Sequence, residues 1–75
     1  MDERVIIDVR GLKCPLPVLK AERRMQPHGA GTRFLLIATD PMAAIDVPHF
    51  CNENGHRLVA SRRDGDELTF EIEKA

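Results

Sequence analysis

The 75-residue chain has few of the features that mark specialised classes of protein. It contains two cysteines, Cys14 and Cys51, with no Cys-x-x-Cys pair and no Cys/His cluster at ligand spacing, so we expect no metal site and no disulfide-rich fold. No segment approaches the ~20 consecutive apolar residues of a membrane helix. The Met1-Asp2-Glu3 start lacks the positive charge of a secretion signal. We therefore expect a cytoplasmic protein that does not bind a membrane.

The chain also lacks a surplus of charge of either sign. Its 11 Lys and Arg residues and 12 Asp and Glu residues give a formal net charge of -1, whereas proteins that bind nucleic acid directly need a positive excess. We expect no direct binding to nucleic acid. The content of 43% hydrophobic and 31% charged residues is typical of a globular protein. With no repeat or linker, the sequence predicts a single domain over residues 1–75.

Apolar periodicity in the first half predicts two strands separated by a helix. Arg4–Val9 is a short run rich in β-branched residues, which is typical of a strand. Apolar residues then recur at helical spacing from Pro15 or Pro17 to about Gln26. The continuous apolar run Phe34–Ala38 predicts a central strand. Because a helix separates the two strands, we expect them to be parallel.

A second helical region follows the central strand. Asp40 suits its N-cap, and Pro41 suits its first helical position. Pro48 is predicted to split the region into Met42–Asp46 and Pro48–Glu53, because proline cannot donate the helical hydrogen bond.

The last part of the chain predicts a β-hairpin. Its strands are Arg57–Ser61 and Glu67–Glu73, and Asp64-Gly65 between them is a strong turn signal. Apolar and polar residues alternate in the final strand, which indicates one packed and one solvated face. The predicted order is βαβαββ. The predicted fold class is α/β (α+β), a two-layer sandwich in which a mixed four-stranded sheet carries two helical segments on one face.

Cys14 is the strongest candidate for a reactive residue. It falls in the loop after the first strand, at the carboxyl end where open α/β sheets usually hold their functional groups. Pro15 disfavours the α conformation at Cys14 and keeps it outside the helix. The helix N-terminus, with Arg10 and Lys13 close in sequence, would favour the thiolate, which is the nucleophilic form. We therefore predict an exposed Cys14 with a lowered pKa.

Other interpretations of the cysteines stay open at this point. Cys14 could be a small buried hydrophobic residue, as many free cysteines are. Cys14 and Cys51 could also form a disulfide that senses redox state. Cys51 lies beside Phe50 in the second helical region, and we predict that it packs in the core.

The segment DVRGLKCPLPV, residues 8–18, resembles the DxxGLxCPxPV signature of the TusA/SirA-like sulfur-carrier family. The similarity continues through Asp40-Pro41 and through DVPHFC at residues 46–51, so it spans nearly the whole chain. It implies a βαβαββ sandwich. It also implies a sulfurtransferase in which Cys14 takes sulfane sulfur from a donor such as a cysteine desulfurase, carries it as a persulfide and passes it to an acceptor thiol. No cofactor is expected. In one branch of the family the sulfur reaches tRNA 2-thiouridine, and other branches serve sulfur oxidation, molybdenum-cofactor supply or selenium metabolism.

Further residues are candidates for supporting this role. Those that support the motif are Asp8, Gly11, Pro15, Pro17 and Asp40. Basic residues that could dock acidic partner surfaces are Arg10, Lys13, Lys20, Arg23 and Arg24. The same basic side chains also fit a solvated helix face. The alternative function is a non-catalytic regulatory or interaction module that binds protein or RNA through the basic face of the first helix. No spacing argument brings His28, His49 or His56 to Cys14.

Overall fold

Two helices and a four-stranded sheet make up the computed structural model, which describes residues 4–75. The interpretation of Met1-Asp2-Glu3 therefore lies outside the described residues. The elements in chain order are β1 (Arg4–Val9), α1 (Leu16–Met25), β2 (Arg33–Ala38), α2 (Ala43–Asn54), β3 (Arg57–Asp64) and β4 (Glu67–Glu73). This order confirms the predicted βαβαββ sandwich with a mixed sheet.

The strand order in the sheet is β1-β2-β4-β3. Strands β1 and β2 are parallel, with Val9 opposite Ala38, whereas β4 is antiparallel to both β2 and β3. The predicted pairings are confirmed, and β2 is an interior strand. Because β1 and β2 are parallel and in register at their last residues, the loops that follow them emerge at the same edge of the sheet. That edge carries Cys14 and Asp40.

The core lies between the helices and one face of the sheet. Every second residue of β2 and β4 is buried, as expected for a sheet with one covered face. Helix α2 adds Cys51, which is buried as predicted. The fully buried side chains of largest volume are Phe34, Ile7, Met25, Leu36, Ile72, Val9 and Val47.

Ion pairs occupy part of the opposite face of the sheet. Arg33 lies 2.9 Å from Glu71 and 3.1 Å from Glu73, and Arg4 lies 2.6 Å from Glu71. These pairs are partly exposed at the surface, and surface ion pairs contribute little stability, typically about 0–1 kcal/mol each. They keep the face polar around Ile6, whose side chain is 58% exposed.

Helix α1 begins at Leu16, between the two predicted starts, with Pro15 as the N-cap residue and Pro17 in the first turn. Proline is tolerated there because the first amides of a helix have no intrahelical partner. The helix ends at Met25, and Gln26 is its C-cap.

Helix α2 is continuous, so the predicted break into Met42–Asp46 and Pro48–Glu53 is wrong. Pro48 lies inside the helix. A proline removes one amide and crowds the carbonyl four residues earlier, here that of Ala44. Ala44 is exposed and belongs to the first turn, where water can hydrate the carbonyl that Pro48 leaves without a partner.

Asp40 and Pro41 precede α2 rather than occupying its first positions, which corrects the predicted N-cap. The N-cap residue is Met42. The carbonyl of Asp40 accepts the amide of Ala43 at 2.9 Å, and that of Pro41 accepts the amide of Ala44 at 3.1 Å. These short-range bonds form a tight turn that leads into the helix.

The hairpin between β3 and β4 turns one residue later than predicted. Strand β3 runs to Asp64, beyond the predicted end at Ser61, and Asp64 pairs with Glu67. The turn residues are therefore Gly65 and Asp66. Gly65 has a φ of 61°, which suits the first central position of a two-residue hairpin loop.

Candidate functional site

Cys14 lies in the loop between β1 and α1, where β1 ends at the edge of the sheet. The residue is exposed, as predicted, and its thiol is free. The amide of Leu12 donates to the carbonyl of Val9 at 3.2 Å, so the chain turns as soon as the strand ends. Gly11 permits this turn because its φ of 81° falls in the left-handed region, which favours glycine. The turn leaves the sulfur at the surface, beside the first turn of α1.

Two side chains from the loop after β2 hold the Cys14 loop in place. Oγ1 of Thr39 accepts the amide of Gly11 at 2.9 Å, and Oδ2 of Asp40 accepts the amide of Cys14 at 2.7 Å. The other carboxylate oxygen of Asp40 accepts the amide of Met42 at 3.2 Å. Hydrogen bonds to a carboxylate are stronger than neutral ones. Asp40 therefore ties the backbone of Cys14 to the start of α2.

Asp8 forms a separate cluster at the base of the loop. Its Oδ1 accepts both the backbone amide and Nε of Arg10 at 3.0 Å, and its Oδ2 accepts Nη2 of Arg10 at 2.9 Å. These hydrogen bonds lower the pKa of Asp8 to about 2. Arg10 also lies 3.5 Å from Glu67, and Nζ of Lys20 donates to the carbonyl of Asp8 at 3.1 Å. Asp8 thus engages two of the cations that the sequence assigned to partner docking.

The groups that act most strongly on the Cys14 thiol are acidic. The Asp46 side chain, which acts on the thiol most strongly, raises the pKa of Cys14, and partial desolvation and the negative charge of Asp40 raise it further. The predicted lowering of the pKa is therefore wrong. At neutral pH the thiol of the free protein is protonated more completely than an ordinary cysteine.

Two of the positive groups on which the sequence argument relied have other partners. The guanidinium of Arg10 is bound by Asp8. The amide of Leu16, at the first position of α1, donates to the carbonyl of Lys13 at 2.8 Å. Neither group is available to stabilise a Cys14 thiolate.

A cleft of about 310 Å³ opens beside Cys14, between α1 and α2. Its α2 residues recur at spacings of three and four, so they share one helix face. Nε2 of His49 lies 3.2 Å from Oε1 of Glu53 on this face. The cleft thus offers the sulfur an apolar wall and several ionisable groups. It is lined by Cys14, Pro15, Val18, Asp46, His49, Phe50, Glu53 and Asn54.

A larger groove of about 600 Å³ runs along the exposed side of α1 and does not include Cys14. The side chains of Leu16 and Leu19 in this groove are about half exposed. Two of the predicted docking cations, Lys20 and Arg23, line this groove and therefore lie away from the cleft beside Cys14. It is lined by Leu12, Leu16, Leu19, Lys20, Glu22, Arg23 and Gln26.

Within residues 4–75, no group of three or more His, Cys, Asp or Glu side chains is arranged to hold a metal ion. No helix in this part of the chain is long and apolar enough to span a membrane.

Comparisons with known proteins agree with the family resemblance of the sequence, and the similarity covers nearly the whole chain. Residues 5–74 match the model of the family described as Sulfurtransferase TusA. The chain belongs to the TusA family. A Pseudomonas putida protein named sulfur carrier protein TusA is 38% identical over 69 residues, which cover 92% of this chain and 86% of that protein. An Allochromatium vinosum protein of the same name is 35% identical over 69 residues, which cover 92% of this chain and 91% of that protein.

In this TusA-family chain the predicted motif residues take different places around the sulfur. Pro15 lines the cleft, and Asp40 binds the amide of Cys14. Pro17 is a buried residue in the first turn of α1, and Gly11 shapes the loop. Arg24 is exposed in the last turn of α1, and Lys13 is exposed next to Cys14.

Sequence reasoning missed Asp46 and His49, which the fold brings to the cleft beside Cys14. The available signal was the spacing of Asp46, His49, Phe50 and Glu53, which places them on one face of a continuous helix. The predicted break at Pro48 assigned Asp46 and His49 to separate helical segments, so they were not predicted to share one face.

Proposed function

We propose that this TusA-family protein carries sulfane sulfur on Cys14 between two protein partners. The family is one of sulfur carriers, and the relatives named above are called sulfur carrier proteins. Cys14 occupies the cysteine position of the family signature. The observation that carries the proposal is the free, exposed Cys14 thiol on a loop held to the sheet edge by Asp40.

The proposed reaction is attack of a thiolate on a sulfur–sulfur bond, which is chemically close to thiol–disulfide exchange. During loading, the sulfur of Cys14 attacks the outer sulfur of a donor persulfide. A new sulfur–sulfur bond forms, and the donor cysteine leaves with the electron pair of the broken bond. During unloading, an acceptor thiolate attacks the outer sulfur, and Cys14 is the leaving group. The Cys14 proton is released in the first step and regained in the second.

We propose a cysteine desulfurase as the donor class, a protein thiol as the acceptor and the cytoplasm as the location. The tRNA 2-thiouridine relay is one destination for the sulfur, and sulfur oxidation, molybdenum-cofactor supply and selenium metabolism are the others within the family resemblance. The reaction requires no resident cofactor, because it consists only of sulfur–sulfur exchange and the release and uptake of a thiol proton.

The test is sulfur loading followed by intact mass. The protein is incubated with a cysteine desulfurase, its cofactor and cysteine, and its mass is measured before and after reduction. We expect a reducible gain of one sulfur atom on the wild type and on Cys51→Ala, which removes the buried thiol. Cys14→Ser should show no gain. A gain on Cys14→Ser, or none on the wild type, would contradict the proposal.

The interaction-module alternative rests on the groove along α1, where half-exposed leucines lie beside Lys20 and Arg23. It predicts that function in the cell survives Cys14→Ser and is lost when Lys20, Arg23 and Arg24 are reversed in charge. The carrier proposal predicts that Cys14→Ser abolishes function.

A further inference from the structure

The charged side chains near Cys14 come from three parts of the fold. Helix α2 contributes Asp46, His49 and Glu53 to the cleft. The loop after β2 contributes Asp40, whose carboxylate accepts the Cys14 amide at 2.7 Å. The Cys14 loop itself contributes Lys13, which is exposed.

The acidic groups nearest to the sulfur are not neutralised within the described residues. No Lys, Arg or His side chain among residues 4–75 forms an ion pair with Asp46 or Asp40, whereas Asp8 is paired with Arg10. Asp46 is half-buried in the cleft wall, where an approaching group can reach it. The cleft therefore presents unpaired negative charge next to the reacting atom.

We propose that Asp46 is a specificity-determining residue for sulfur transfer, so that Cys14 reacts best with a partner that brings a cationic side chain into the cleft beside its own reacting sulfur. The inference rests on the proposed function and names the chemistry of the partner's site. A cation in the cleft neutralises Asp46 and stabilises the negative charge that develops on Cys14.

The same cation would act in both directions of the transfer. As Cys14 loads, its proton passes to solvent, its sulfur bonds to the donor's outer sulfur, and the electron pair of the broken bond leaves with the donor cysteine. As Cys14 unloads, the electron pair of the broken bond stays on Cys14, which then takes up a proton. Cys14 carries negative charge in each step, so pairing Asp46 with a cation lowers both barriers.

The test uses small reagents of opposite charge. Methanethiosulfonates with a trimethylammonium or a sulfonate group transfer a thioalkyl group to a thiolate and release methanesulfinate. The parent protein is the Cys51→Ala variant, so that only Cys14 reacts. Rates are measured across pH at low ionic strength, because salt screens exposed charges. Free cysteine supplies the reference ratio of the two rates.

We expect the parent to prefer the cationic reagent over the anionic one by about tenfold more than free cysteine does, since a unit charge roughly 6 Å away in a largely aqueous setting affects the two reagents in opposite directions. Asp46→Asn should remove most of this preference and move the pH profile to lower pH. Glu22→Gln is the control, because it removes one negative charge from an exposed position of α1 outside the cleft, and its preference should stay close to that of the parent.

A parent without the preference, or an Asp46→Asn variant that retains it, would overturn the inference. The outcome is separable from that of sulfur loading. A protein that loads sulfur on Cys14 but shows no charge preference contradicts only the role of Asp46. A protein that shows the preference but never loads sulfur contradicts the carrier function, and with it the inferred partner.

Discussion

Asp40→Ala should both destabilise the protein and loosen the Cys14 loop. The substitution removes a carboxylate that accepts the amide of Cys14 at 2.7 Å and the amide of Met42 at 3.2 Å. No other bond in the described structure ties the backbone of Cys14 to the start of α2 directly. The perturbation therefore tests whether one side chain holds two loops together.

The size of the effect follows from the two lost bonds. Asp40 is not the N-cap residue, but its bond to the amide of Met42 resembles a capping bond, and loss of such a bond costs about 0.5–2 kcal/mol. Hydrogen bonds to charged groups contribute about 1.5–3 kcal/mol each. Asp40 is half-buried, so each hydrogen bond should contribute an energy near the lower end of its range. We expect a loss of about 2 kcal/mol in the free energy of unfolding. For a domain of this size, that corresponds to a fall in Tm of roughly 8–16 °C.

Urea unfolding monitored by circular dichroism measures the loss. Asp40→Asn should lose about half as much free energy of unfolding as Asp40→Ala, because the Asn side chain retains one oxygen acceptor for the two amide donors. Glu22→Ala, at an exposed position of α1, is the control and should change stability by less than about 0.5 kcal/mol. If Asp40→Ala also stays within that limit, the two hydrogen bonds do not contribute in solution, and the account of the loop is incorrect.

Two further predictions concern the core. Burial raises the pKa of Cys51 to about 11. The buried, neutral thiol therefore makes its full contribution to the free energy of unfolding below the ordinary cysteine pKa of about 8.5, and that contribution is lost as pH rises through about 11. Urea unfolding should show a smaller alkaline loss in Cys51→Ala than in wild type, and equal losses would contradict this. Leu36→Ala empties a fully buried position on the interior strand and should cost about 2–5 kcal/mol in the free energy of unfolding. A cost below about 1 kcal/mol would contradict the burial of Leu36, because the lost transfer free energy alone exceeds that value even when the cavity collapses.

The sequence allowed the element order, the strand pairings and the burial of Cys51 to be predicted, because apolar periodicity is a local signal and the sheet has one covered face. Turn and helix boundaries were less accurate. Pro48 has a strong local preference against helix, but it lies one turn into α2, where the affected carbonyl belongs to exposed Ala44. Tertiary packing of Val47, Phe50 and Cys51 outweighs that local cost.

The electrostatics of Cys14 could not be predicted from nearby residues. Arg10 and Lys13 are close in sequence, but Arg10 is bound by Asp8, which precedes it by two positions. The residue that does reach the thiol is Asp46, 32 positions later, and only the packing of α2 against α1 brings it there. Charges couple through space, so a pKa depends on topology that a linear pattern does not contain.

The raised pKa of Cys14 has opposite effects on capturing and keeping sulfur. For each unit by which a thiol's pKa rises above neutral pH, the thiolate fraction falls tenfold, whereas its nucleophilicity rises only about threefold. The free protein should therefore attack persulfides slowly. A sulfur of high pKa is also a poor leaving group, so a persulfide on Cys14 would resist thiols in solution. If Cys14 carries sulfur, the carboxylates beside it thus protect the cargo between partners, and a partner's cation reverses both effects only in the complex.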